Sequence, residues 1–142
     1  MSRSVLVLDA NILIRAVLGR RVFSLLCEFH ASTAFFAPDD VFADANKYLP
    51  EIFEARSLDW TAGAAMLARL PAFIQAIDSE VYSEFEEQAR RRIRDPRDWP
   101  VLATAMALDC PIWTEDADFF GTGVATWTTA TVEVFLSGGI RL

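Results

Sequence analysis

Four aspartates sit at positions where an α/β chain can gather chemistry. Asp9 closes the apolar run Ser-Val-Leu-Val-Leu, and Asp116 follows the run Pro-Ile-Trp-Thr by two residues, with Glu115 and Asp118 flanking it. Asp98 opens the segment Asp-Trp-Pro, and Asp44 lies inside a helical stretch among Val41, Phe42, Ala43 and Ala45. In open parallel sheets ligands collect at the carboxyl ends of the strands, where Asp9 and Asp116 belong. Three or four carboxylates drawn together repel one another unless a divalent cation neutralises them, and hard cations such as Mg²⁺ favour all-oxygen sites. Such a cation lowers the pKa of water and offsets charge building on a phosphoryl centre, so no side-chain nucleophile is required. Competing chemistries lack their residues. The single histidine, His30, falls on a helical stripe and reads as a packed core residue, and no Ser/His/Asp set or nucleophile elbow exists. The six glycines form no phosphate-cradling loop.

Each acid taken alone also has a plainer role. Asp9 can cap a helix beside Asn11, Asp116 can start a turn, and Asp98 suits an N-cap with Pro in the first turn. Capping and metal ligation are compatible, because a helix N-terminus favours an ionised carboxylate. Asp44 can face solvent, although Asp is a poor mid-helix residue.

The elements that must position these residues alternate between strand and helix. Ser4–Leu8 is a short apolar run without alternation, as in a strand covered on both faces. A helix from Asn11 stops at Gly19, and Phe23, Leu26, Cys27 and His30 mark a second at helical spacing. Ala34–Ala37 is another buried run closed by Pro38. Val41, Ala45, Tyr48, Leu49 and Ile52 then form the stripe of a helix that tolerates Pro50. Thr61–Leu70 is helical up to Pro71, and Ala72–Asp78 fits a strand or a helix end. Val81, Phe85, Ala89 and Ile93 mark a helix over 80–94. Another helix runs from Asp98 to about Asp109, then come strands at 111–114 and 124–127 and a closing helix over 129–137. The pattern predicts an α/β three-layer sandwich: a mostly parallel sheet of four or five strands with helices on both faces. With 142 residues and no repeat or linker, residues 1–142 read as one domain.

Composition narrows the function classes. Thirteen basic against 20 acidic residues, a net charge of −7, argue against nucleic-acid binding through bulk positive charge. They leave open phosphate binding through a cation held by those same acids. Twelve of the bases are Arg, and Arg90, Arg91, Arg92, Arg94 and Arg97 fall within eight residues. They suit an RNA backbone or an acidic partner, or simply a solvated face beside Glu84, Glu86 and Glu87. Trp99, Trp113 and Trp127 suit base stacking or core packing. The two cysteines, Cys27 and Cys110, sit in apolar sequence and read as small core residues rather than a disulfide. Asp9 and Asn11 interrupt the first apolar run where a signal peptide needs its centre, and no run reaches bilayer length. The expected location is cytoplasmic, with no membrane partner.

The segments VLDANIL, Pro38-x-x-Val41-x-x-Asp44, RDWPVLATAMAL and IWTEDADFF, in that order, resemble the PIN-domain ribonucleases, including VapC-like toxins. The resemblance spans nearly the whole chain. It implies four acids holding Mg²⁺ or Mn²⁺ and hydrolysing RNA phosphodiester bonds. By position the catalytic set is Asp9, Asp44, Asp98 and Asp116, with Asp9, Asp98, Asp116 and Asp118 at the metal. Asn11 and Thr114 match small polar residues that orient the acids. The second acid is normally Glu, and Asp44 is one methylene shorter. Arg91, Arg94 and Arg97 are the candidate RNA contacts, and a small antitoxin protein is an implied partner. Phe23, Phe29, Trp60 and Met66 lie outside the four motifs and offer an apolar surface for a homodimer.

Two other readings stay open at this stage. A phosphatase of the haloacid-dehalogenase type also begins with a strand ending in Asp, but its second acid falls at Asn11. A non-catalytic PIN-like module that binds RNA or protein is the other, and Asp44 is the residue that admits it. Metal-dependent cleavage separates these readings.

Overall fold

The computed structural model describes residues 3–138. Five strands form one all-parallel sheet in the order β3-β2-β1-β4-β5: β1 (Ser4–Leu8), β2 (Thr33–Pro38), β3 (Ile74–Ile77), β4 (Ile112–Trp113) and β5 (Thr126–Trp127). The helices are α1 (Ala10–Leu18), α2 (Arg21–Phe29), α3 (Asp39–Ala55), α4 (Trp60–Arg69), α5 (Ser79–Tyr82), α6 (Glu86–Arg92), α7 (Trp99–Leu108) and α8 (Val132–Leu136). The architecture is the three-layer α/β sandwich that the alternation of elements predicts.

Leu6, Val7 and Leu8 are consecutive and fully buried, which in a pleated strand requires cover on both faces. One cover is α7, which packs on β1, β2 and β4 and buries six residues in a row from Pro100 to Ala105. On its outer side it carries α5 and α6. The remaining helical group joins α1 to α2, α3 and α4, with α3 also against β2 and β3. Because β1 has β2 on one side and β4 on the other, the chain reverses direction across the sheet there. A crevice opens between the carboxyl ends of these two strands. Asp9 follows β1 directly, and Thr114 to Asp116 follow β4.

Several finer expectations give way to packing. The helix over 80–94 is broken into α5, a 3-10 turn at Ser83–Phe85, and α6. Asp78 caps α5 through the Glu80 N–H, turning Tyr82 inward and leaving Val81 exposed. Residues 74–77 are a strand, paired in parallel with β2. On α2 the buried face is Val22, Leu25 and Leu26, one step from the expected stripe, so Cys27 is exposed and neither it nor His30 is a core residue. His30 instead meets Phe73 edge-on at 5.3 Å. On α3, Tyr48 points outward and Phe53 takes the core position. The last helix is shorter than 129–137, and Gly139 lies outside the described residues.

The aromatics set aside for an interface are half-buried in the chain's own packing. Phe23 meets Phe73 at 5.4 Å with Arg69 over its face, and Trp60 meets Phe53 at 5.2 Å. The tryptophans are packing residues too. Trp113 is fully buried and donates to Thr129 Oγ1 at 3.1 Å, Trp99 lies against Tyr82 and Arg90, and Trp127 against Phe135.

Trp113 anchors the short β4 that carries Thr114 and Asp116. Trp113→Ala is expected to cost about 3–5 kcal/mol in urea unfolding, as for other buried aromatics. Arg91→Ala, which breaks only an exposed pair with Glu87, is expected to cost about 1 kcal/mol or less.

A candidate carboxylate metal centre

Asp9 is only 6 % exposed, and its ionised form is held by three donors. The Ala10 N–H donates to Oδ1 at 2.7 Å, while Thr114 Oγ1 and Asn11 Nδ2 donate to Oδ2 at 2.8 and 3.0 Å. Burial nevertheless raises its pKa, the hydrogen bonds working against that, and the charge of Asp116 raises it further.

Thr114 is the hub of this crevice. Besides donating to Asp9, its hydroxyl oxygen accepts from the Asp116 N–H at 2.9 Å and lies 3.2 Å from Asn11 Nδ2. Asn11 Oδ1 accepts from the Glu115 N–H at 3.1 Å. One Asn and one Thr thereby lock the end of β1 to the turn after β4, which sets where Asp116 can point. Asp116 Oδ1 accepts from the Asp118 N–H at 2.9 Å and so fixes the next turn.

Asp98, Asp116 and Asp118 each offer a carboxylate oxygen, and these oxygens lie within 4.8 Å of one another. Asp98 immediately precedes α7, yet its side chain makes no capping hydrogen bond. The cap expected from sequence goes instead to Asp95, one turn earlier, which accepts from the Arg97 N–H at 3.0 Å. Asp98 is therefore left facing the other acids. Its pKa is raised to about 7, first by burial, then by the charges of Asp9, Asp116 and Asp95, and by a hydrogen bond with Asp116. A hard divalent cation fits this donor set: three carboxylates share one small space, and none of the three is neutralised by a close ion pair. Arg94 approaches Asp118 only to 3.7 Å.

Among the described residues, the group at this spacing holds Asp98, Asp116 and Asp118. Asp9 lies beside it, near enough for its charge to act on Asp98. Asp44 is half-buried on α3 outside the group, and its charge acts on Asp40, one turn earlier. Asp40 was not singled out from sequence. Its Oδ1 is buried without a hydrogen-bond partner, and burial, then Asp44 and Asp39, raise its pKa to about 6. The adjacent Asp39 accepts from Tyr82 Oη at 2.6 Å. Glu115 also has an unforeseen role, accepting from the Thr129 N–H at 2.7 Å and so tying down the chain after β5. The Asp-Pro pair at 95–96 was a readable signal for the Asp95 turn, whereas nothing local marks Asp40. Arg91 and Arg97 hold ion pairs with Glu87 and Asp95, so of the three candidate RNA contacts Arg94 is the one that reaches toward the group.

With this geometry in hand, comparison with known proteins is decisive for family. A PIN domain family profile matches residues 7–137. The chain belongs to the PIN domain family. No curated protein sequence matches it significantly. Among solved structures it is similar to PAE2754 from Pyrobaculum aerophilum, at 15 % identity and a TM-score of 0.73, covering 95 % of this chain and 90 % of that one. It is also similar to VapBC2 from Rickettsia felis, solved bound to a promoter DNA fragment (15 % identity, TM-score 0.60, 87 % and 98 % covered). A toxin–antitoxin complex from Klebsiella pneumoniae aligns at 22 % identity with a TM-score of 0.54, covering 87 % and 96 %. At these identities the likeness is one of fold.

Two predictions follow from the packing of acids. Thr114→Val removes a buried donor to Asp9 and an acceptor for the Asp116 N–H, and is expected to cost about 1–3 kcal/mol in chemical unfolding. In EDTA, the native state keeps a proton on Asp98 between about 4 and about 7, where the unfolded chain has released it. Native protons exceed unfolded ones in that window, so stability falls as pH rises through it. Asp9 and Asp40 act in the same sense; Asp95, with a lowered pKa, acts oppositely but only below 3.8. The melting temperature in EDTA should therefore drop from pH 5 to pH 8, and Asp98→Asn should flatten that drop. A rise over the same range would contradict the arrangement of charges.

Proposed function

We propose that this PIN domain is a metal-dependent endoribonuclease, the toxin component of a toxin–antitoxin pair. The observation that carries the reading is the carboxylate group of Asp98, Asp116 and Asp118 beside a buried, hydrogen-bonded Asp9. It is a concentration of negative charge whose one neighbouring cation is the exposed Arg94, 3.7 Å from Asp118, in a chain of this family. Asp9, Asp98, Asp116 and Asp118 would hold Mg²⁺ or Mn²⁺. The cation, when bound, supplies Lewis acidity toward a phosphodiester and lowers the pKa of water.

The chain's own residues do the rest. Thr114 and Asn11 aim Asp9 by donating to one of its oxygens, and these bonds oppose the rise in pKa that burial imposes. The Asp118 N–H aims Asp116 by donating to its Oδ1. Asp98, freed from capping by Asp95, is available as a ligand. Asp44, on α3 outside the close carboxylate group, is assigned the second catalytic position on the motif order alone. Arg94 is placed to meet an RNA phosphate beside Asp118. RNA as substrate agrees with a cytoplasmic site of action.

One of the similar structures is by its description a toxin–antitoxin complex, and this supports a small antitoxin protein as partner here. A homodimer through the outward edges of Phe23, Phe29, Trp60 and Met66 belongs to the same proposal. Sedimentation should return about twice 15.9 kDa, and a monomer mass would remove it.

One observation favours a second reading, a PIN-like RNA- or protein-binding module without catalysis. Asp44 is set against Asp40 and outside the close carboxylate group. Cleavage assays separate the two. Purified protein should cut single-stranded RNA with Mg²⁺ or Mn²⁺ and not with EDTA. Asp98→Asn should lower the rate roughly a hundredfold or more, since several kcal/mol of transition-state stabilisation depend on the ion. Its melting temperature in EDTA should be unchanged or higher. RNA binding without cleavage under any divalent ion would favour the second reading.

A further inference from the structure

The chain carries a net charge of −7, and five of its 12 arginines form ion pairs among the described residues. Arg90, Arg91, Arg94 and Arg97 pair with Glu86, Glu87, Asp118 and Asp95. One region gathers several arginines in a single cleft. A cleft of about 460 Å³ between α1, the start of α2 and the end of α3 is rimmed by Arg15, Arg20, Arg21 and Arg56, and no carboxylate lines it. Arg21 pairs with Glu133 at 3.1 Å, whereas Arg15, Arg20 and Arg56 form no ion pair among the described residues.

The cleft adjoins residues that hold the carboxylate centre in place. Asn11 and Thr129 both line it. Asn11 donates to Asp9 and accepts from the Glu115 N–H, and the Thr129 N–H donates to Glu115. Arg15 stands one turn beyond Asn11 on α1, about 6 Å along the helix axis. Any polyanion threaded past Asp9 thus meets a guanidinium at the next turn and two more across the cleft.

We infer that this cleft is the track for the RNA backbone leading away from the carboxylate centre, with Arg15, Arg20 and Arg56 as its phosphate contacts. The inference rests on the nuclease reading and names the substrate-positioning surface for it. Planar guanidinium groups match phosphate oxygens in pairs, and three of them without a carboxylate partner in one cleft make a local positive patch on an acidic protein, which suits an anionic ligand. An acidic peptide is the competing ligand. The cleft's sharing of Asn11, which donates to Asp9, favours the polymer whose cleavage the centre would perform. The positive charge at this cleft also answers the objection that so acidic a chain should repel RNA: a short basic lane beside a cation site is sufficient.

The test measures binding and cleavage separately. A fluorescent single-stranded RNA is titrated in EDTA into the full chain, into the triple variant Arg15→Ala, Arg20→Ala, Arg56→Ala, and into the matching triple Lys variant, over a range of salt. The Ala variant should bind roughly tenfold or more weakly, and its slope of log affinity against log salt should be smaller by about 2, three contacts at about 0.7 each. The Lys variant should keep the slope, and thermal melting should be alike in all three because the side chains are exposed. Unchanged affinity and slope in the Ala variant would overturn the inference. So would binding of a poly-glutamate peptide that depends on these arginines while RNA binding does not. If wild-type cleaves RNA with Mg²⁺ and the Ala variant cleaves and binds equally well, the cleft assignment fails and the nuclease reading stands. If RNA binding depends on the arginines but no divalent ion supports cleavage, the nuclease reading fails and the cleft assignment stands.

Discussion

Mutual repulsion of carboxylates at one crevice is the constraint around which this protein is organised. Four acids contributed by three separate stretches of chain are brought near one another, and in water alone that arrangement opposes folding. Burial first, and the neighbouring carboxylates after it, raise the pKa values of Asp9 and Asp98. The fold tolerates the arrangement because each acid is fixed by a neighbour that wants it where it is. Asp9 accepts three hydrogen bonds, Asp116 accepts the Asp118 N–H, and Asp95 takes over the capping that would otherwise have drawn Asp98 away.

The parallel sheet makes this possible. Strands covered on both faces end together at one edge, so β1 and β4 deliver Asp9 and Thr114 to adjacent positions although 105 residues separate them in the hydrogen bond between them. The β1–β4 pairing includes Leu8 against Trp113, which fixes register one residue before the acids begin. A slip of one residue would turn Asp9 and Thr114 to opposite faces. Precision at the centre is therefore inherited from buried apolar residues, above all Leu8 and Trp113.

Much of this was legible in the residues. The continuous apolar run into Asp9, the Pro38 boundary and the Asp-Trp-Pro start of α7 identify elements whose ends fall close to where they stand. The motif order identifies the PIN domain family. What local pattern could not supply is which of several apolar residues faces inward. On α2 the stripe is one step off, because Phe23 and His30 pack sideways on Phe73 while Leu25 turns to the sheet layer. On α5 the inward residue is Tyr82 rather than Val81, because a tertiary hydrogen bond to Asp39 holds it. The same limit applies to the site. Asp98 looks like a cap in sequence, and only the turn set by Asp95 shows otherwise. Asp40 becomes notable only once Asp44 and a buried environment surround it. The arginines of the 90–97 run drew attention by proximity in sequence, whereas Arg15, Arg20 and Arg56 are scattered along the chain and meet only in space.

The central claim is that Asp98, Asp116 and Asp118, with Asp9 beside them, form a divalent-cation site. Crystals grown with Mn²⁺ and measured for anomalous scattering test it most directly. The account predicts a peak among the carboxylates of Asp98, Asp116 and Asp118, lost in Asp116→Asn crystals. A well-ordered crevice with no peak at saturating Mn²⁺, or a peak confined to other residues, would contradict it.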